Sequence, residues 1–400
     1  MKTFKNKIVA SALALSLVGG AIIATPKTAE ADSKPLLIKK VLNLPEKGVT
    51  TPITGFRFKF TGHSKNGDEG KKDDVPTIPD EVISYTDNDK DDNDTSKDGK
   101  QLIKESTNDV LANVGWPEAG QYTYTVTEEE GTTPGMVYSK ASYLVSIFVR
   151  KNDKGTLEVE SIQISKLKTD DGNNIDLNKT EYEPGEGTDP TKKKNNFVFE
   201  NYYNKKDGND NPGGGTKITD EDKKGFALRK TIKGEHPDEN AEFEFSFYVI
   251  KPQGSGVGNA SYDYYKVDSK GQVGEKQTAN YANNNTSQET DDTFVKQNVK
   301  LKHNERIVFG KVLLGSTVTV DETKAGAYVG SVSSSFNGSG VTSKSGVIGD
   351  QAGGNWVEYE NTKQTATGLL IENLPFLALI LVAGVGIIFF VKNKKEEELA

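Results

Sequence analysis

The chain has 400 residues, 34% of them hydrophobic and 27% charged, with a formal net charge of −8. An acidic balance argues against a nucleic-acid partner, because a phosphate backbone demands a basic face. There is no cysteine, and His63, His236 and His303 stand far apart, so no disulfide framework and no metal-ligand spacing is on offer. No phosphate loop or nucleophile elbow occurs either. Chemistry on an external substrate therefore has no support: no enzyme activity, no metal and no cofactor is expected.

Taken in chain order, Lys2, Lys5 and Lys7 precede an apolar stretch over 8–24, and Ala29-Glu30-Ala31 supplies a small-x-small pattern. Residues 1–31 read as a signal peptide of a secreted protein whose mature chain begins at Asp32. An exported protein without disulfides needs another source of lasting stability. A first domain is expected over 32–204, opening on a strand at 36–42. The polar stretch 64–100 reads as a long inserted loop. Its acidic run, 87–94, lacks the Gly and Glu positions of a helix-flanked calcium loop and reads as solvated.

β-Branched and aromatic residues mark strands at 122–128, 143–149 and 157–164, with turn signals at 153–155 and 171–172. Residues 191–196 read Thr-Lys-Lys-Lys-Asn-Asn, just ahead of a last strand from Phe197. Residues 205–224, rich in Asp, Asn and Gly, are expected to form a linker. A second domain follows over 225–363. Many short strands and almost no helical period predict an all-β chain of two tandem β-sandwiches.

The two halves repeat one arrangement. Alternate residues of a strand share a face, so Leu36, Ile38, Lys40 and Leu42 point one way, and Phe226, Leu228, Lys230 and Ile232 do the same. The same parity selects Lys40 over its neighbour Lys39. Tyr124, Val126 and Glu128 form a second inward set in the first half, matched by Val318, Val320 and Glu322 in the second. The last strands contribute Phe197, Phe199 and Asn201, matched by Val357, Tyr359 and Asn361.

Each half thus puts one Lys, one Glu and one Asn on its core face. Desolvation lowers a lysine pKa and raises that of a carboxyl, which yields a neutral, nucleophilic amine beside a protonated acid. The acid is expected to hydrogen-bond the Asn carbonyl, polarise it and shuttle protons as ammonia departs. The product is a Lys–Asn isopeptide crosslink that forms without another enzyme.

At the C-terminus, Gln364-Thr365-Ala366-Thr367-Gly368 precedes a mainly apolar run over 374–391, followed by Lys392, Lys394 and Lys395. Such a run is long enough to span a bilayer core, with the lysines holding its end in the cytoplasm. Thr-Gly, apolar span and basic tail together resemble a sortase cell-wall sorting signal over 364–400. In such signals a transpeptidase thiol attacks the Thr carbonyl and passes the acyl group to an amine. That resemblance puts the cut at Thr367–Gly368. Ala366 stands where such motifs usually have Pro, which is closer to a pilin-type signal than to a housekeeping one.

With both trios, the chain resembles the Gram-positive backbone pilins of the streptococcal T-antigen type. The resemblance implies two immunoglobulin-like domains, with Lys40 joined to Asn201 through Glu128 and Lys230 joined to Asn361 through Glu322. It also implies a lysine ahead of the first domain's last strand that accepts Thr367 of the next subunit. Lys192, Lys193 and Lys194 are the candidates, and Lys194 lies closest to the strand. The implied partners are a pilin-type sortase, further copies of the chain, minor pilins, and peptidoglycan at the pilus base. The implied location is the cell wall and its pilus, after transient membrane retention through the C-terminal span. A wall-anchored adhesin or minor pilin that binds a host ligand without polymerising is the alternative.

Overall fold

The computed structural model describes residues 34–89, 99–175, 180–182, 195–252, 256, 260–282, 296–324 and 328–363, with 375–376, 378–383, 385 and 387 near the C-terminus. The expected signal peptide, Lys192, Lys193, Lys194, Thr367 and Gly368 lie outside these residues. The described positions of the C-terminal apolar run are helical. Among the described residues no helix is long and apolar enough to cross a membrane. Two compact units divide chiefly between Tyr203 and Asn204, with Pro45–Thr50 grouped in the second.

The first unit holds β1 (Lys39–Leu44), β2 (Thr54–Lys65), β3 (Glu81–Tyr85), β4 (Lys100–Glu105), β5 (Gly120–Glu128), β6 (Met136–Val137), β7 (Ser142–Lys151), β8 (Leu157–Lys168), β9 (Thr180–Glu181) and β10 (Val198–Tyr203). One sheet runs β4-β1-β10-β6 and the other β3-β2-β5-β7-β8-β9. Their inner faces meet through large side chains, as where the Phe58 and Phe199 rings lie 4.9 Å apart. Alternation sets the faces: Tyr122, Tyr124 and Val126 are buried along β5. The β7–β8 hairpin turns at Asn152, whose Oδ1 accepts the amides of Lys154 and Thr156. Gly155 completes it at φ +79, a conformation that costs a side-chain-bearing residue.

The stretch expected to be one long loop contains a strand. β3 pairs antiparallel with β2, and the buried Tyr85 hydroxyl donates to the carbonyls of Lys40 (2.9 Å) and Leu102 (3.1 Å). Five residues of strand inside a polar stretch carry too little alternation to stand out.

The second unit holds β11 (Lys206–Asp207), β12 (Ala227–Gly234), β13 (Phe243–Ile250), β14 (Ser261–Val267), β15 (Gln277–Asn280), β16 (Gln297–Leu301), β17 (Arg306–Phe309), β18 (Val312–Leu313), β19 (Thr317–Lys324), β20 (Tyr328–Phe336), β21 (Ser339–Val341), β22 (Ser345–Val347) and β23 (Trp356–Lys363). A sheet β15-β14-β17-β12-β23-β20-β21 packs on β16-β13-β19-β22, with Phe245 and Tyr359 meeting edge to face at 5.1 Å. The stretch 205–224 carries structure within this unit. β11 pairs with β18, and Asp222 is fully buried against the fully buried Arg306, Oδ2 to Nε at 3.2 Å. Arg306 also donates to the carbonyls of Gly215 (2.8 Å) and Gly213 (3.3 Å).

Candidate functional site: two buried Lys–Glu–Asn trios

In each unit the first and last long strands lie side by side and run parallel. β1 pairs with β10, setting Lys40 opposite Phe199 and Leu42 opposite Asn201. β12 pairs with β23, setting Lys230 opposite Tyr359 and Ile232 opposite Asn361. Lysine and asparagine are therefore offset by two residues in both units, and a two-residue offset keeps them on one face. The glutamate comes from the facing sheet. Glu128 stands opposite Phe58 in the β5–β2 register, and Glu322 opposite Phe245 in the β19–β13 register.

The first trio closes tightly. Lys40 Nζ donates to Glu128 Oε2 at 2.6 Å, and Asn201 Nδ2 donates to Glu128 Oε1 at 2.5 Å. The Lys40 and Asn201 side chains are fully buried, whereas Lys39 is not. Lys40 Nζ lies 4.4 Å from the centroid of the Phe56 ring. Burial pulls the Lys40 ammonium down from 10.5 to about 8, a shift that Glu128 only partly offsets. Burial also pushes the Glu128 carboxyl up, against Lys40 and Asn201. Both directions favour the uncharged amine and the protonated acid.

The second trio has the same skeleton with a different grip. Lys230 Nζ lies 2.9 Å from Glu322 Oε1 but lacks hydrogen-bond geometry. Asn361 Nδ2 donates to that same Oε1 at 2.9 Å. Lys230 Nζ is 4.2 Å from the Phe243 centroid, and burial lowers this lysine too, to about 8.

One feature differs from the sequence expectation in both trios. The glutamate meets the asparagine through its nitrogen and not through its carbonyl oxygen. In the first unit Asn201 Oδ1 instead accepts the backbone N–H of Ser139 at 2.8 Å. In the second unit Asn361 Oδ1 is buried and has no hydrogen-bond partner among the described residues. Side-chain patterning does not reveal a backbone donor such as Ser139, and nothing in the sequence signals it.

Residues 36–204 match a family model described as the Spy0128-like isopeptide containing domain. Residues 224–363 match one described as a domain of unknown function, DUF7601. No curated protein matches the chain. Among solved structures the chain is similar to the major pilin from Streptococcus pyogenes, with 18% identity over 83% of this chain and 99% of that one and a TM-score of 0.32. For the T3.2 major pilin of S. pyogenes serotype GAS13637 the identity is 18%, over 84% and 99%, with a TM-score of 0.33. For the pilus-presented adhesin Spy0125 (Cpa) it is 11%, over 83% and 100%, with a TM-score of 0.26.

Proposed function

We propose that this chain, which belongs with the Gram-positive pilins through its Spy0128-like isopeptide domain, is the backbone subunit of a covalently polymerised cell-surface pilus. The observation that carries the reading is the repeated trio. In both units a buried lysine and a buried asparagine each bring a nitrogen within 3 Å of a carboxyl oxygen of the same glutamate. Burying two such sets costs stability, and a crosslink in each unit offsets that cost.

In the proposed reaction the neutral Lys40 amine attacks Cγ of Asn201. The new C–N bond forms, the carbonyl π pair moves to Oδ1, and the protonated Glu128 gives its proton to Nδ2 while its other oxygen takes the surplus proton of the former amine. Collapse of the adduct re-forms the carbonyl and breaks the Cγ–Nδ2 bond, so that the protonated nitrogen departs as ammonia and Glu128 is left protonated as it began. The balance is one amide and one amine in, one secondary amide and one ammonia out. Lys230, Glu322 and Asn361 repeat the sequence. Each event happens once within a chain, so the protein is not an enzyme in the turnover sense. Each bond ties the first long strand of its unit to the last, worth about 3–5 kcal/mol on the disulfide analogy.

Polymerisation follows from the sorting-signal reading. A pilin-type sortase cuts Thr367–Gly368 and joins Thr367 to Lys194, or to Lys193 or Lys192, of the next copy, with minor pilins and peptidoglycan as further partners. Two measurements test this. The intact mass of the chain from Asp32 to Thr367, produced without sortase, should fall short by two ammonia molecules. Wall extracts of a host supplying the sortase should show a high-molecular-weight ladder containing a peptide that joins Thr367 to one of the three lysines. An unmodified mass refutes the crosslinks. A double ammonia deficit without a ladder replaces the shaft role with the non-polymerising adhesin or minor-pilin role.

A further inference from the structure

The carbonyl oxygens of the two reacting asparagines sit in different surroundings. Asn201 Oδ1 receives the Ser139 amide at 2.8 Å, and Ser139 is itself buried. That amide belongs to a braced segment. Ser139 Oγ donates to Asp170 Oδ1 at 2.6 Å and accepts the Ala141 amide at 3.1 Å. The Lys140 amide donates to the Asp170 carbonyl at 2.9 Å. Asp170 Oδ1 also accepts the amide of Glu200, the residue before Asn201, at 2.8 Å. Its Oδ2 is held by Lys166 Nζ at 2.7 Å. One carboxylate thus ties down both the donor segment and the strand that carries the reacting carbonyl.

The second trio has no such arrangement. Among the described residues Asn361 Oδ1 has no hydrogen-bond partner, and it lies over Gly330, the antiparallel partner of Asn361 on β20. A Cβ added at Gly330 would stand 3.0 Å from that oxygen.

We propose that the Ser139 backbone N–H is the oxyanion donor for closure of the Lys40–Asn201 bond, with Asp170 as its positioning residue. The proposal rests on the isopeptide reading above and deepens it. As the Lys40 amine adds to Cγ, negative charge collects on Asn201 Oδ1, where the Ser139 amide already points. Glu128, on Nδ2, is left to handle the protons of the departing ammonia. A preorganised donor aimed at developing charge is worth about 10²–10³ in rate. The Lys40–Asn201 bond therefore closes before the Lys230–Asn361 bond in the same chain.

The test follows newly made full-length chain in a cell-free translation system, quenched into acid denaturant over time, with each bond quantified by peptide mapping. The unaltered chain is expected to close the first bond well ahead of the second. Replacing Ser139 by its α-hydroxy acid turns the 138–139 amide into an ester, exchanging the donor N–H for an oxygen that cannot donate while the side chain is kept. The first bond should slow by about 10²–10³, and the second should keep its rate. Asp170→Ala should slow the first bond selectively, and Asp170→Asn, which keeps an oxygen acceptor for Ser139 Oγ, should restore most of the rate.

An ester chain that closes the first bond at the unaltered rate overturns the proposal. Should the ester leave the first domain protease-sensitive, the Asp170 pair decides. Selective slowing with Asn rescue supports the proposal, and any other pattern overturns it. If neither bond forms in the unaltered chain, the isopeptide reading itself has failed, a different result from a fast bond without its donor.

Discussion

The first trio is a closed hydrogen-bonded chain, and the second is looser at each link. Glu128 uses one oxygen for Lys40 and the other for Asn201. Glu322 offers a single oxygen to both Lys230 and Asn361. The skeleton common to both comes from topology: parallel first and last strands, a two-residue offset, and a glutamate reaching across the core. The differences come from what lies beside the asparagine, a braced loop amide in one unit and a glycine in the other. Strand order therefore decides which three side chains meet, and local packing sets how readily they react.

The sharpest way to break this comparison is to remove the acids one at a time. Glu128→Ala should abolish the Lys40–Asn201 bond and leave the other intact, with Glu322→Ala doing the reverse. Intact mass should then show one ammonia lost instead of two. Thermal unfolding should report a loss of at least about 3–5 kcal/mol in the affected domain, since an uncompensated buried lysine adds to the lost crosslink. A variant that keeps both bonds would show that the carboxyl is dispensable.

The second unit also contains the buried Arg306–Asp222 pair. Asp222→Ala strands a buried guanidinium and should destabilise that unit by about 3–5 kcal/mol in chemical denaturation. The Lys40–Asn201 bond should still form. Loss of both bonds would mean that the two units do not fold independently enough for the comparison to hold.

A pH series sharpens the comparison further. Burial lowers both lysines to about 8. As pH falls through 8 each amine gains a proton and loses its nucleophilic pair. Closure rates should drop by up to about tenfold per pH unit. Time-resolved peptide mapping between pH 6 and 9, used as about the range around that pKa, would detect this. Rates that rise on acidification would contradict the neutral-amine mechanism.

The smallest expected effect is at Gly330. A methyl group there approaches Asn361 Oδ1 to 3.0 Å and Glu322 Oε2 to 3.6 Å. Gly330→Ala should cost the second domain about 1–3 kcal/mol through overpacking and slow its bond several-fold. The first bond serves as the internal control, and an unchanged second bond would show that this wall gives way freely.

Much of the fold was legible because strand period and core burial are local properties. The expected runs at 122–128, 143–149 and 157–164 lie within β5, β7 and β8. Lys40 and Lys230 stood out because a charge at an apolar parity is costly, and repetition in two halves made chance a poor explanation. The strand β3 was missed because a short edge strand in a polar stretch has little amphipathic signal. Asp222 was missed because the Asp-, Asn- and Gly-rich composition around it reads as solvated linker, whereas a distant arginine draws it into the interior.

Sequence alone determined the two-domain β architecture and the membership of each trio, since alternation assigns every strand residue to a face before any strand has a neighbour. It could not determine which atom of the asparagine the glutamate would meet, nor that Ser139 would lend its amide to Asn201. Those depend on angles and distances of a few tenths of an ångström between segments far apart in the chain. A backbone N–H is common to every residue but proline, so only the tertiary structure decides which one faces a reacting carbonyl.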